Sequence, residues 1–141
     1  MVKTVDAEKN GETISSVSMS VLQNPEVVDD YITLRTMDDH TPLELTDDGV
    51  IISQKMSNVL KAKAGDSFSV VNSDGSKTEL TVTGVTENYA MNNIYMTPTL
   101  YREVYGVEPS YNMIYANIPD GVETSDLSTE LLDVSAILGI A

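Results

Sequence analysis

Residues 49–115 constrain the fold most, because a turn or capping residue separates almost every pair of elements predicted within them. The stretch opens at residues 49–52 with Gly-Val-Ile-Ile, an apolar run that predicts a short strand buried on both faces. Ser53 is a favourable N-cap, and the apolar spacing after it predicts a helix to about residue 63. Gly65 is predicted to end this helix in a left-handed cap. The chain must therefore combine strands and helices.

A hairpin and a second helix are predicted further along the same stretch. Residues 67–85 contain two strand-like runs around a Ser-Asp-Gly-Ser turn. Gly84 interrupts the alternation of the second run, which predicts a bulge or a sharp bend. A short strand then leads into a helix over residues 98–105, capped by Thr97 and ended by Gly106.

The N-terminal flank is mostly strand. Residues 2–22 predict a β-hairpin, because Asn10-Gly11 is a strong two-residue turn signal and apolar residues alternate with serines after it. Pro25 begins a short helical turn. Residues 31–35 predict a returning strand, and the Asp- and Thr-rich residues 36–48 predict a loop.

The C-terminal flank alternates strand and helix. Residues 111–118 predict a strand, Thr124 or Ser125 is predicted to cap a last helix, and residues 134–140 predict a final strand. The whole pattern predicts an α+β fold with a β-hairpin-rich lobe and a smaller lobe of helices packed on strands. The β-rich part covers about residues 1–90 and the α/β part about residues 91–141.

The charge of the chain excludes several classes of partner. The formal net charge is −14, so nucleic acid is excluded as a partner because its phosphates would be repelled. There is no cysteine, which excludes disulfides and thiolate metal sites. Three acidic pairs, Asp29-Asp30, Asp38-Asp39 and Asp47-Asp48, suggest calcium, but no stretch fits an EF-hand loop. Solvated turns are the favoured interpretation of these pairs.

No convincing catalytic arrangement is present in the sequence. His40 is the single histidine, and it lies in a turn with two aspartates and a proline. No nucleophile-elbow, zinc-protease or phosphate-loop motif occurs. The chain is therefore predicted not to be an enzyme and to need no cofactor or metal.

A polar cluster between two predicted strands is the most promising interaction site. It contains Glu87, Asn88 and Tyr89, followed by Asn92, and methionines flank it. These residues are predicted to form an interaction surface or a hinge where the two parts of the fold meet. The alternative is an ordered loop whose Asn side chains satisfy backbone groups.

The order of these signals resembles a known family. The sequence reads VIIS before the first helix, GD before the hairpin, VTGV and ENY after it, and IYM before the second helix. This set closely resembles the extracellular domain of FtsX-like ABC transporter permeases, which are related to the MacB-like periplasmic core domain. Ser57 stands where the family often has Ala. The resemblance covers roughly residues 45–118 well and the flanks loosely.

The resemblance implies a function and a location. Residues 1–141 are expected to be a single extracellular domain excised from a larger membrane protein, soluble as a piece and located on the extracytoplasmic side of the cell membrane. Flanking transmembrane helices and a cytoplasmic ATPase subunit are the implied partners, together with an extracellular peptide or protein. The domain is expected to contact substrate or partner proteins, or to transmit motion, without catalysis.

A second hypothesis does not depend on the resemblance. The strongly acidic composition also suits a free-standing module that binds a peptide or a cation. Flanking membrane spans beside an ATPase gene would favour the permease, and a response to calcium would favour the free-standing module.

Overall fold

The structure is a computed structural model that describes residues 1–137 and residue 139. It contains six strands, one 3₁₀ helix and three α-helices over these residues. In chain order they are β1 (Val2–Lys9), β2 (Glu12–Val21), the 3₁₀ helix (Pro25–Asp30), β3 (Val50–Ser53), α1 (Gln54–Leu60), β4 (Ser67–Val71), β5 (Lys77–Thr86), β6 (Asn93–Met96), α2 (Pro98–Tyr105) and α3 (Thr124–Leu132).

The six strands close into a barrel in the order β1-β2-β6-β3-β5-β4. Two pairs are hairpins, β1 with β2 and β4 with β5, and both are antiparallel. The strand β3 pairs parallel with β5, and β6 pairs parallel with β2. Pairing of β1 with β4 closes the ring, which leaves no open strand edge in the barrel.

The two hairpins form where the turn signals lie, and each contains an irregularity. Asn10 and Gly11 adopt φ angles of 52° and 88°, as a tight two-residue turn requires. The pairing between β1 and β2 shifts register between Val5 and Ala7 of β1, opposite residues 15 and 16 of β2. Ser16 lies there with a φ of 61°, and its backbone N–H donates to Asp6 Oδ1 over 3.0 Å. This bulge was not predicted.

The bulge predicted at Gly84 is confirmed. Val50 pairs with Val82 but Ile51 pairs with Gly84, so β5 carries an extra residue opposite β3. A Cβ at Gly84 would lie 3.2 Å from the Leu43 Cδ2 atom. Glycine therefore lets the loop before β3 pack closely on the bent strand.

The helices α1 and α2 begin where the sequence predicts. The Ser53 hydroxyl accepts a hydrogen bond from Met56 N, and the Thr97 hydroxyl accepts one from Leu100 N. Gly106 ends α2 in a left-handed cap, as predicted. The prediction for α1 was wrong at its C-terminus: Lys61, with a φ of 50°, forms the left-handed cap, and Gly65 lies in the following turn.

One apolar core fills the barrel, and a smaller cluster lies outside it. The barrel core takes residues from all six strands together with α1 and α2, including Met56, Leu60, Leu100 and Tyr101. The outer cluster packs residues of the 3₁₀ helix and of irregular segments against the outer face of β3 and β6; its members are Leu22, Val28, Leu34, Leu45, Ile51 and Tyr95. Val50 and Ile52 of β3 lie in the barrel core and Ile51 lies in the outer cluster, so the burial on both faces predicted from the apolar run is confirmed.

Three strand predictions were wrong. Residues 31–35 form no strand and contribute only one isolated bridge, between Arg35 and Pro42. Residues 111–118 are irregular and exposed, and their backbone pairs with no described strand. Residues 134–136 form turns rather than the beginning of a strand, and the rest of that predicted strand lies partly outside the described residues.

The α+β class is confirmed. The strand β6 and the helix α2, assigned to the second part of the fold, pack into the same barrel core as residues 1–90. The predicted boundary between the two parts, near residue 90, therefore separates residues that pack in the same core. The segment after α2 differs, since α3 has no buried residue.

Candidate functional site

The loop over residues 87–92 connects β5 to β6 and passes the end of β3, which lies between those two strands. Ser53, the last residue of β3, is fully buried. Its hydroxyl accepts hydrogen bonds from Met56 N over 3.4 Å and from Asn93 N over 3.1 Å. One side chain thus caps α1 and fixes the first residue of β6 after the loop.

Glu87 joins the loop to residues 35–40. Its Oε2 atom lies 2.8 Å from Arg35 Nε and 3.3 Å from His40 Nδ1. The Glu87 backbone N–H also donates to the Arg35 carbonyl over 2.8 Å. The hydrogen bond from Arg35 lowers the pKa of the Glu87 carboxyl below its usual value. The single histidine of the chain therefore lies beside the partly exposed Arg35–Glu87 ion pair.

The His40 turn is held by its neighbour Asp39. The Asp39 carboxylate accepts hydrogen bonds from the Thr36 hydroxyl and, over 3.1 Å, from the Thr41 backbone N–H. These hydrogen bonds lower the pKa of Asp39 to about 2. The acidic pair at residues 38–39 therefore includes a turn-forming carboxylate.

Asn88 satisfies the backbone of its own loop. Its Oδ1 atom accepts from Ala90 N over 3.0 Å and from Met91 N over 3.2 Å, which is an Asx-type turn. The Asn88 carbonyl accepts from Lys55 N over 3.1 Å, and Lys55 Nζ donates to the Ala90 carbonyl over 3.0 Å. The loop is thereby attached to the first turn of α1.

Tyr89 and Asn92 have opposite environments. The Tyr89 side chain is 53% exposed, and Met91 beside it is 57% exposed. The Asn92 carbonyl accepts from Ser18 N over 2.9 Å, which attaches the loop to β2. Asn92 Oδ1 is buried and has no hydrogen-bond partner among the described residues. The four predicted residues share one loop, but they do not line a common cleft.

The sequence did not predict a cleft that lies between the 3₁₀ helix and residues 111–115. We call it the aromatic cleft; its volume is about 250 Å³. Its wall residues include Val27, Tyr31, Tyr111, Met113, Ile114 and Tyr115. Asn112 holds this wall against β1 through two bonds, from Val2 N over 2.7 Å and to the Val2 carbonyl over 2.8 Å. Asn117 Nδ2 donates to the Asp30 carbonyl over 2.9 Å.

A second cleft adjoins the first, and we call it the acidic cleft. Its walls include Glu26 and Asp29 from the 3₁₀ helix and Glu44 from the loop before β3, and its volume is about 630 Å³. Val28 lines both clefts, so the 3₁₀ helix forms the ridge between them. No signal in the sequence predicts this pairing, because it depends on contacts between segments far apart in the chain.

A cation–π cluster joins β1 to α2. Lys3 Nζ lies 5.0 Å from the centroid of the Tyr101 ring and 3.8 Å from that of Tyr105. Burial lowers the pKa of Lys3 and raises the pKa of Tyr105 to about 12. Lys3 already fills this aromatic site, so the cluster is a contact between β1 and α2.

Within residues 1–137 and 139, no three His, Cys, Asp or Glu side chains are grouped so that they could hold a metal ion. In the same described part of the chain, no helix is long and apolar enough to cross a bilayer.

Comparison with known proteins shows what this fold is similar to. No protein-family model and no curated protein matches the chain. Among solved structures, the chain is similar to the extracellular domain of the noncanonic ABC-type transporter YknZ from Gram-positive bacteria. The TM-score is 0.54 at 18% identity, over 76% of this chain and 56% of that one.

A second solved structure is similar over more of the chain. It is the periplasmic region of MacB from Actinobacillus actinomycetemcomitans, with a TM-score of 0.53 at 12% identity, over 94% of this chain and 62% of that one. The chain thus spans less than two thirds of either solved domain. These likenesses confirm the fold that the sequence resemblance predicts, that of the extracellular domain of a MacB-like or FtsX-like ABC permease.

Proposed function

We propose that this chain is a non-catalytic extracytoplasmic domain of an ABC transporter permease. Its role is to contact substrate or partner proteins and to transmit motion to flanking transmembrane helices. The observation that carries the proposal is the shared fold with the extracellular and periplasmic domains of two ABC transporters. Fold alone does not assign function, so the features of the site must be consistent with this role.

The loop over residues 87–92 supports a role in contact or motion. It is attached to three separate parts of the fold: to the 35–40 segment through Glu87, to α1 through Asn88, and to β2 through Asn92. A displacement of this loop would move all three attachments together. At the same time, the side chains of Tyr89 and Met91 extend into solvent, where a partner can reach them.

The geometry around His40 favours contact over acid–base catalysis. The His40 side chain is 57% exposed and lies beside the Arg35–Glu87 ion pair. General acid–base catalysis uses a group positioned against a substrate in a cleft. Neither of the two clefts described above includes His40 or Glu87 in its walls.

The partners follow from the permease role. The flanking transmembrane helices of the same protein would receive the motion of the domain, and a cytoplasmic ATPase subunit would drive it. The domain itself would lie on the extracytoplasmic side of the cell membrane. An extracellular peptide or protein would bind there.

Cysteine labelling tests the location directly, because the chain has no cysteine of its own. Tyr89→Cys is introduced into the natural gene that encodes these residues, and intact cells are treated with a membrane-impermeant maleimide. The expected result is labelling in intact cells. Ala62→Cys, at a position that is 1% exposed, is the matched control and should react only after denaturation.

Two outcomes would contradict the proposal. Labelling of Tyr89→Cys only after cell disruption would place the domain in the cytoplasm. Purification of the natural protein in mild detergent without any ATP-hydrolysing subunit, under conditions that retain such partners, would argue against a transporter. Either outcome would favour the free-standing module.

A further inference from the structure

The aromatic cleft has the size and lining of a side-chain pocket. Its volume of about 250 Å³ is below the roughly 300–1,000 Å³ typical of small-molecule sites. Five wall residues remain 40–48% exposed although they are apolar or aromatic: Val27, Tyr31, Tyr111, Met113 and Tyr115. Partly exposed aromatic walls around a small concavity are typical of pockets that receive one anchoring side chain of a protein partner.

The acidic cleft lies directly across the 3₁₀ helix. Glu26, Asp29 and Glu44 line it, and none of the three forms an ion pair with any described basic residue. Glu26 and Asp29, which come from the 3₁₀ helix, are both exposed. Bringing a cation here would cost little desolvation and would relieve repulsion among like charges.

The charge distribution identifies the sign of the partner. The net charge is −14, and neither residues 10–34 nor residues 103–141 contain a lysine or an arginine. Apart from Met1 and Val2 in the wall of the aromatic cleft, both clefts are built from these two segments and from the loop before β3. The Met1 ammonium is already hydrogen-bonded to the Val21 carbonyl over 2.8 Å. A second copy of this chain or an anionic lipid surface would therefore be repelled, whereas a basic partner would be attracted.

The backbone beside the aromatic cleft favours an extended partner. Residues 111–118 lie in no strand, and no backbone hydrogen bond joins them to another described segment. Their N–H and C=O groups are exposed and can pair with a polypeptide lying alongside.

We propose that the 3₁₀ helix and its two clefts form a docking surface for a basic segment of a partner polypeptide. An apolar side chain of that segment enters the aromatic cleft. A lysine or arginine side chain next to it lies against Glu26, Asp29 and Glu44. The surface is separate from the 87–92 loop, and it would bind such a segment whether or not the chain is part of a transporter.

Fluorescence anisotropy with the isolated chain tests this surface. The probe is a fluorescein-labelled synthetic peptide composed of lysine, leucine and glycine. Two matched peptides replace either every lysine by glutamate or every leucine by serine. The lysine–leucine peptide is expected to bind, and each replacement is expected to weaken binding by about tenfold or more.

Variants of the chain locate the binding. Tyr31→Ser, in the aromatic cleft, and the triple variant Glu26→Gln/Asp29→Asn/Glu44→Gln are each expected to raise the Kd about tenfold. The matched triple control neutralises three exposed acids at α3. Two of them, Asp126→Asn and Glu130→Gln, lie on the helix, and the third, Glu123→Gln, is the residue just before it. This control and Val59→Ser, on the exposed face of α1, should change the Kd less than about twofold.

The outcomes separate docking from general attraction of a cation. Equal weakening by the two triple variants would show that only net charge matters, and it would overturn the proposal. Binding of the glutamate peptide as tight as that of the lysine peptide, or no effect of Tyr31→Ser, would do the same. All the substituted residues lie at exposed positions, so the variants are expected to stay folded, and thermal unfolding of each one by circular dichroism checks this.

Discussion

The barrel and the segment after α2 carry similar apolar patterns but bury them very differently. In the barrel, Ile52 and Ile94 are fully buried because each strand has a neighbour on both sides. After α2, Ile114 is 87% exposed, and every residue from 110 to 126 is exposed. Alternating apolar residues therefore give a segment the capacity to be a strand, but an adjacent strand must supply the hydrogen bonds and the packing.

Helix capping shows the same difference. The helices α1 and α2 have Ser53 and Thr97 as N-caps with side-chain hydrogen bonds, and both helices pack on the barrel. The helix α3 follows Glu123, which makes no side-chain cap bond, and buries none of its leucines. Stability is thus concentrated in residues 1–106, and the remaining described segment adds surface rather than core.

Truncating one isoleucine in each region is the strongest test of this comparison. Ile94→Ala should lower the free energy of unfolding by about 3–4 kcal/mol, because it leaves a cavity in the barrel core. Ile114→Ala should change it by less than about 0.5 kcal/mol, because the side chain is already in water. Urea unfolding measures both values. A cost above about 2 kcal/mol for Ile114→Ala would show that residues 111–118 are packed in solution.

Removing one N-cap from each region should have a smaller effect. Ser53→Ala removes the acceptor for Met56 N and Asn93 N at a buried position, and should cost about 1–3 kcal/mol. Glu123→Ala, at the uncapped start of α3, should cost less than about 0.5 kcal/mol. Thermal unfolding measured side by side gives the difference. Equal costs would contradict the assignment of α3 to the weakly packed segment.

The acid-side pH dependence should show the smallest effect. Because Arg35 lowers the pKa of Glu87 in the folded state, the stability that this ion pair contributes is present above the ordinary value of 4.5. It is lost as the pH falls through the lowered value. The difference in unfolding free energy between the wild type and Glu87→Gln should therefore shrink between pH 7 and pH 3.

The control for this experiment is Glu130→Gln on α3. Glu130 is exposed and forms no ion pair with any described residue. Its substitution should leave the pH dependence of stability close to that of the wild type. If the two variants behave alike, the Arg35–Glu87 pair contributes nothing measurable in solution.

Features fixed by neighbouring residues were the ones that sequence could predict. Asn10-Gly11, the Ser53 cap and the run from Thr97 to Gly106 each act within a single turn, so their chemistry is visible in the sequence. The bulge at Gly84 was visible because it breaks the alternation. The bulge at Ser16 was not, because the spacing of Val17, Met19 and Val21 after it is regular.

Features that depend on distant partners could not be predicted. Lys61 rather than Gly65 ends α1, because the chain must turn there for Ala62 to enter the barrel core. The aromatic and acidic clefts join segments about 80 and 20 residues apart, and no local signal marks such a pairing. Glu87, Asn88, Tyr89 and Asn92 were found as a polar loop, but their role as a contact or hinge remains a prediction.

The closure of the barrel has a consequence for how the chain is made. The edge of β1 is paired only when β4 is present, and the edge of β2 only when β6 is present. During synthesis the first hairpin therefore emerges with both edges open; the β1 edge has no partner until Val71 has been added, and the β2 edge has none until Met96 has been added. Barrels with such long-range pairings fold slowly, on a timescale of about milliseconds to seconds. The growing chain is most vulnerable to edge-to-edge association during this interval, and the closed barrel ends that exposure.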